Sequence, residues 1–122
     1  MGNFKTRNPK SEFRNPNSPP LVLASQSPRR NELLGILGIP FSVVPSTIEE
    51  IPAAGETPED FVARVAREKG MDVASRVSES VVLSADTVVT IDGEILGTPA
   101  GDEDACRMLK KLSGRSHWVY TA

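Results

Sequence analysis

Cysteine, histidine, tryptophan and tyrosine each occur once in these 122 residues. The single thiol, Cys106, excludes an internal disulfide framework and a multi-cysteine zinc site, and it fits a reducing cytoplasm. No stretch approaches the roughly 18 consecutive apolar residues of a spanning helix, and the N-terminus lacks the apolar core of a signal peptide. The expectation is a cytoplasmic chain with no membrane partner. No charge sign dominates, since 14 Lys and Arg stand against 16 Asp and Glu for a net charge of -2. That balance gives no general electrostatic reason to hold nucleic acid. What is present, 39% apolar and 25% charged residues, is the composition of one globular domain.

The start of the chain differs from the rest. Lys5 to Ser11 (KTRNPKS) and Glu12 to Ser18 (EFRNPNS) form a seven-residue near-repeat carrying Arg-Asn-Pro twice, followed by Pro19-Pro20. Each proline removes a donor and biases its neighbour to extended geometry, and Phe4 and Phe13 are the only large apolar groups. Residues 1–20 therefore read as a disordered, low-complexity extension. A basic arm for nucleic acid is the sharper alternative.

From Leu21 the pattern is that of an α/β domain. Strands are expected at Leu21–Ala24, Phe41–Val44 and Val81–Ala85, helices at about 28–37, 58–75 and 103–113, and a further strand over His117–Thr121. Thr87–Ile91 and Glu94–Leu96 flank Asp92-Gly93, which suits a type I′ hairpin turn. That last strand stands at the end of the sequence, so an incomplete domain with an exposed sheet edge is the expectation.

Three features carry chemistry. Ser25-Gln26-Ser27-Pro28-Arg29-Arg30 joins a strand to a helix. Ser27 suits the N-cap and Pro28 the first helical position, Leu33, Leu34 and Leu37 form the expected apolar face, and Gly38 ends the helix. Two hydroxyls, two guanidiniums and a helix N-terminus together suit an anion, although a capped helix with two solvated arginines explains them as well. Lys69 falls within the stripe Val62, Val65, Ala66 and Val73 of a helix opened by Thr57-Pro58-Glu59-Asp60. It either snorkels or reaches an anion. Asp86 interrupts an apolar run from Val81 to Ile91, as a cleft-lining carboxylate or as a solvated kink. Glu49-Glu50 supplies further acids, and His117, with no ligand-spaced partner, reads as structural. The combination argues for reaction at a polyphosphate with a divalent metal.

The chain also resembles the Maf (septum formation) nucleotide pyrophosphatases. The resemblance rests on Leu-Ala-Ser-x-Ser-Pro-Arg-Arg at 23–30, Ala-Arg-Glu-Lys at 66–69, Ala-Asp-Thr-Val-Val at 85–89, and the stretch from Met108-Leu109 to Leu112-Ser113-Gly114 with His117. It implies the ITPase-like α/β nucleotide pyrophosphatase fold, incomplete at the C-terminus, over residues 21–122. It also implies a cytoplasmic enzyme, linked to arrest of cell division, that cuts a nucleoside triphosphate to monophosphate and pyrophosphate with Mg or Mn. By position Asp86 matches the proton acceptor, Ser25, Arg29, Arg30 and Lys69 match phosphate and substrate contacts, and Glu50 matches an acidic residue near the metal; Ser27 is a further expected phosphate contact, and Glu50 and Asp86 are the expected metal ligands. Arg29 and Thr87 match the dTTP/UTP type. A homodimer is compatible with the resemblance. Thr98 stands where the family has a phosphate-facing lysine, and family members are longer. The alternative reading is therefore a catalytically silent nucleotide-binding or regulatory fragment. Ile91-Asp92-Gly93 lacks the paired aspartates of a haloacid-dehalogenase-type phosphohydrolase, a weaker third reading.

Overall fold

The computed structural model describes residues 5–6 and 17–122. In chain order the elements are β1 (Lys5–Thr6), β2 (Leu21–Leu23), α1 (Pro28–Ile36), β3 (Phe41–Val43), α2 (Pro58–Ala74), β4 (Val81–Leu83), β5 (Thr87–Ile91), β6 (Glu94–Leu96), α3 (Asp102–Leu112) and β7 (Trp118–Thr121). They fall into two compact units, Met1–Glu50 with Val65–Ala85, and Ile51–Arg64 with Asp86–Ala122.

The first unit is built on a sheet of order β1-β3-β2-β4, in which β2 runs parallel to both β3 and β4. A central parallel strand is covered on both faces, which explains why Leu21-Val22-Leu23-Ala24 is apolar without interruption. Side chains alternate along it. Val22 and Ala24 pack with Val44 and with Val73 of α2, and Val77 and Val82 border that cluster. On the alternate positions, Leu23 packs with Leu34 of α1 and with Phe41, bordered by Leu21 and Val43. Helix α1 begins as expected, with Ser27 Oγ accepting from Arg30 N at 3.3 Å, and ends before Gly38 at φ +71°. Its apolar face is narrower than the sequence suggests, because Leu34 is buried whereas Leu33 and Leu37 are 50% and 66% exposed. Nine helical residues lying on a sheet of short strands present only about one side-chain row to it, so the flanking leucines face solvent.

Within residues 1–20, most of which lie outside the described residues, Lys5–Thr6 pair antiparallel with Val43 and Ser42. The β3 edge offers unpaired backbone groups there, and an extended dipeptide satisfies them whatever its side chains. Both Arg-Asn-Pro triplets lie outside the described residues.

The second unit holds the antiparallel sheet β6-β5-β7. The β5–β6 turn has Asp92 at φ 52° and Gly93 at φ 75°, as a type I′ turn requires. Arg115 donates to both Asp92 oxygens at 2.6 and 2.7 Å, and these bonds hold the Asp92 carboxyl below its ordinary range. Arg107 and Lys111 of α3 both pair with Glu94 of β6. Val88, Ile91 and Leu96 are buried, while α3 buries no residue. Strand β7 is an edge, and its Trp118 and Val119 are 71% and 54% exposed, the edge exposure expected from sequence. His117 is exposed just before β7 and takes no part in the core. Among the described residues no helix is long and apolar enough to cross a membrane.

Candidate active site

The β2–α1 junction places a buried serine beside a helix N-terminus. Ala24 N–H donates to Leu83 O and Val44 N–H to Leu23 O, so sheet pairing continues to the threshold of Ser25, which is 5% exposed. Ser27 N–H donates to Ser25 Oγ at 3.1 Å, and Arg30 N–H to Ser27 Oγ at 3.3 Å. Both hydroxyls thus act as acceptors that shape the turn, and each keeps its own O–H for an incoming acceptor. Arg29 is exposed and Arg30 half-buried at the positive end of the helix. The turn thus gathers two hydroxyls at the helix N-terminus, next in the chain to two arginines.

Lys69 and Glu50 meet in the same unit. The Lys69 Nζ lies 2.6 Å from Glu50 Oε1, with the lysine side chain 13% exposed and the glutamate 43%. The sequence places Lys69 among apolar residues, and its neighbours Val65, Ala66 and Val73 are indeed buried. Its ammonium therefore neither rests in the core nor lies fully in water.

Two residues that sequence reasoning missed hold the loop carrying Glu50. Asp72 accepts from Ser46 Oγ and Thr47 N–H, each at 3.0 Å, and from Arg76 at 2.9 Å. Arg76 also donates to Pro45 O at 2.9 Å. The Thr47 N–H leads the causes that lower the Asp72 carboxyl. From sequence alone Asp72 and Arg76 are an ordinary surface pair four residues apart on a helix. Their loop contacts depend on a segment more than 20 residues upstream. Ser84 Oγ, just past β4, donates to Ala66 O at 2.7 Å, and a Cβ on Gly70 would stand 2.6 Å from Ser84 Oγ. Glycine next to Lys69 thus allows α2 to lie close against the end of β4.

In the second unit Asp86 is 4% exposed at the threshold of β5. Its N–H donates to Ala122 O and its carbonyl accepts from Ala122 N–H, both at 3.0 Å, which fixes the backbone. Thr87 is exposed, with its Oγ1 2.9 Å from Thr121 Oγ1. A carboxylate that buried is costly without compensating interactions.

Comparison with known families decides the lineage. The description "Maf-like protein" covers a family whose pattern matches residues 20–122, most of the chain. The chain belongs to the Maf-like protein family. It is 52% identical over 103 residues to a dTTP/UTP pyrophosphatase of Methylococcus capsulatus, covering 84% of this chain and 51% of that protein. It is 55% identical to one of Anaeromyxobacter dehalogenans, covering 85% of this chain and 52% of the relative. With one of Myxococcus xanthus it shares 54% identity, over 83% and 52% of the two chains. The chain spans about half the length of the curated relatives it matches. Thr98 is exposed in a bend after β6.

For a Maf-like metal site, the donor set is informative. Among the described residues no three His, Cys, Asp or Glu side chains gather into a cage. Magnesium characteristically takes one or two carboxylates and completes its shell with water and substrate phosphates. Neither Glu50, paired with Lys69, nor Asp86 belongs to such a cage.

Proposed function

We propose that this Maf-like chain acts on nucleoside triphosphates of the dTTP/UTP type, releasing the monophosphate and pyrophosphate. The observation that carries this reading is Asp86, a carboxylate 4% exposed and fixed through its backbone at a strand end. In this role Asp86 takes a proton from water as the water oxygen bonds to the α-phosphorus. The bond from that phosphorus to the α–β bridging oxygen breaks, and pyrophosphate leaves with the electron pair. Ser25, Ser27, Arg29, Arg30 and Lys69 bind phosphate oxygens in this reading, with Thr87 contributing to substrate contact. Glu50 and Asp86 are each proposed as a carboxylate for Mg or Mn, which when bound neutralises phosphate charge. The activity for which the relatives are named supports the pyrimidine preference. The cytoplasm is the proposed compartment, supported by the free, exposed thiol of Cys106.

A neutral Thr98 where the resemblance implies a phosphate-facing lysine, with a chain about half the length of its relatives, favours a second reading, a nucleotide-binding fragment without turnover. Losing a cation that strengthens in the transition state costs about 3 kcal/mol of barrier, on the scale of a deleted oxyanion donor. Thr98→Lys separates the readings. A rise in kcat with KM unchanged supports a phosphate-facing position, and an unchanged kcat in a chain that turns over removes it.

A further inference from the structure

The C-terminal part of α2 and the turn beyond it grip the segment after β3 at successive points. Just past β3, Val44 N–H donates to Leu23 O at 3.0 Å. Arg76 Nη2 then donates to Pro45 O at 2.9 Å, Ser46 Oγ and Thr47 N–H both donate to Asp72 Oδ2 at 3.0 Å, and Ile48 N–H donates to Ser46 Oγ at 3.3 Å. Glu50 follows and meets Lys69. The segment therefore runs from Arg76 toward Lys69, against the direction of the helix. Asp72 is the centre of this ladder, because the oxygen that takes both loop donors also takes Arg76 Nη2 at 2.9 Å. With its side chain only 22% exposed, that carboxylate makes charge-assisted bonds that water contests poorly.

We infer that Asp72 is a positioning residue for the site, holding Pro45–Ile48 against α2 so that Glu50 is kept beside Lys69 before a ligand arrives. The inference rests on the reading of Lys69 and Glu50 as parts of a triphosphate site. Its physical basis is chain entropy. With the Asp72 bonds in place, Glu50 follows a fixed point at Thr47. Without them, and with Arg76 no longer held by Asp72, the fixed point recedes to Val44, twice as far from Glu50 along the chain. The effective concentration of the glutamate around Lys69 falls as about the −3/2 power of the intervening length, which is about threefold. That loss appears on binding, because a loop not ordered beforehand has to be ordered by the ligand. Asp72 thus acts on the ligand without touching it.

The test is calorimetric binding of the non-hydrolysable α,β-imido analogue of dTTP with Mg²⁺ to the wild-type chain, Asp72→Ala, Asp72→Asn, Ser46→Ala, Glu50→Gln and the double variant Asp72→Ala/Glu50→Gln. Asp72→Ala is expected to bind about threefold more weakly. Asp72→Asn keeps an oxygen for the loop donors and should recover most of that loss. Ser46→Ala leaves α2 intact, should weaken binding in the same direction, and decides the question if Asp72→Ala fails to fold. In the Glu50→Gln background Asp72→Ala should weaken binding no further, because the loop then has no carboxylate to position. An Asp72 that only stabilised the fold would show no such coupling. If Asp72→Ala and Ser46→Ala bind as the wild type does, or if Asp72→Ala loses as much with Gln at position 50 as with Glu, the inference is overturned while the site reading stands. If the wild-type chain binds no analogue, or Glu50→Gln binds it equally well, the reading of Glu50 as part of the site is wrong and the inference falls with it.

Discussion

A lysine in an apolar stripe contributes little to folding, because the desolvation of its ammonium offsets most of what its ion pair returns. At Lys69 methionine keeps the stem and removes the charge, leaving Glu50 accessible to water. Lys69→Met should leave the melting temperature unchanged or raise it by a few degrees, while weakening triphosphate binding at least about tenfold more than monophosphate binding. Equal losses for both ligands would contradict a phosphate contact. Glu56 makes a separate case. The Arg64 guanidinium bonds both of its oxygens and the Ala53 N–H adds a third bond, so its pKa falls from 4.5 to about 2. A depressed carboxyl stabilises the fold above its unfolded value and loses that contribution as pH falls through the folded one. Glu56→Gln should therefore flatten the stability–pH curve between about 4.5 and about 2, as urea unfolding measures it. An identical slope in the variant would contradict the pairing. Lys69 and Asp86 were legible in the sequence because each breaks an apolar pattern. Asp72 and Arg76 were not, since their work is done on a loop that only the fold brings to them.

At the scale of elements, hydrophobic period and caps placed each of the strands and helices from Leu21 onward to within about two residues of its observed ends. What the period could not give was how much of a helix face the sheet covers. Leu34 and Leu37 of the α1 region look equivalent in sequence, yet only Leu34 is buried. Leu34→Ala should cost about 2–4 kcal/mol and Leu37→Ala under about 0.5 kcal/mol, by denaturant unfolding. Equal costs would mean that α1 packs through a wider face. In the β5–β6 turn, a methyl group added at Gly93, where φ is +75°, would meet no atom within 4 Å, so Gly93→Ala is opposed by backbone strain alone. A loss of about 1 kcal/mol is expected, and a neutral effect would contradict the type I′ geometry.

At the scale of the molecule, family and fold class were readable because the motifs stand in order along the chain, and the matched region begins at residue 20. The break within α2, between Arg64 and Val65, was not readable, because the helix is continuous and its apolar stripe crosses the boundary. The stripe's period reports that a helix exists and cannot report that its residues divide between two compact units. The chain spans about half of each curated relative, so turnover by these 122 residues is the central claim to test. The most direct measurement is pyrophosphate release from dTTP and UTP with Mg²⁺, for the wild-type chain and Asp86→Asn, alongside nucleotide binding by both. The expected result is release by the wild type, none by Asp86→Asn, and binding retained in the variant, since the amide keeps the shape and cannot take the proton. Release by Asp86→Asn at the wild-type rate, or a folded wild-type chain that binds neither nucleotide, would contradict that claim.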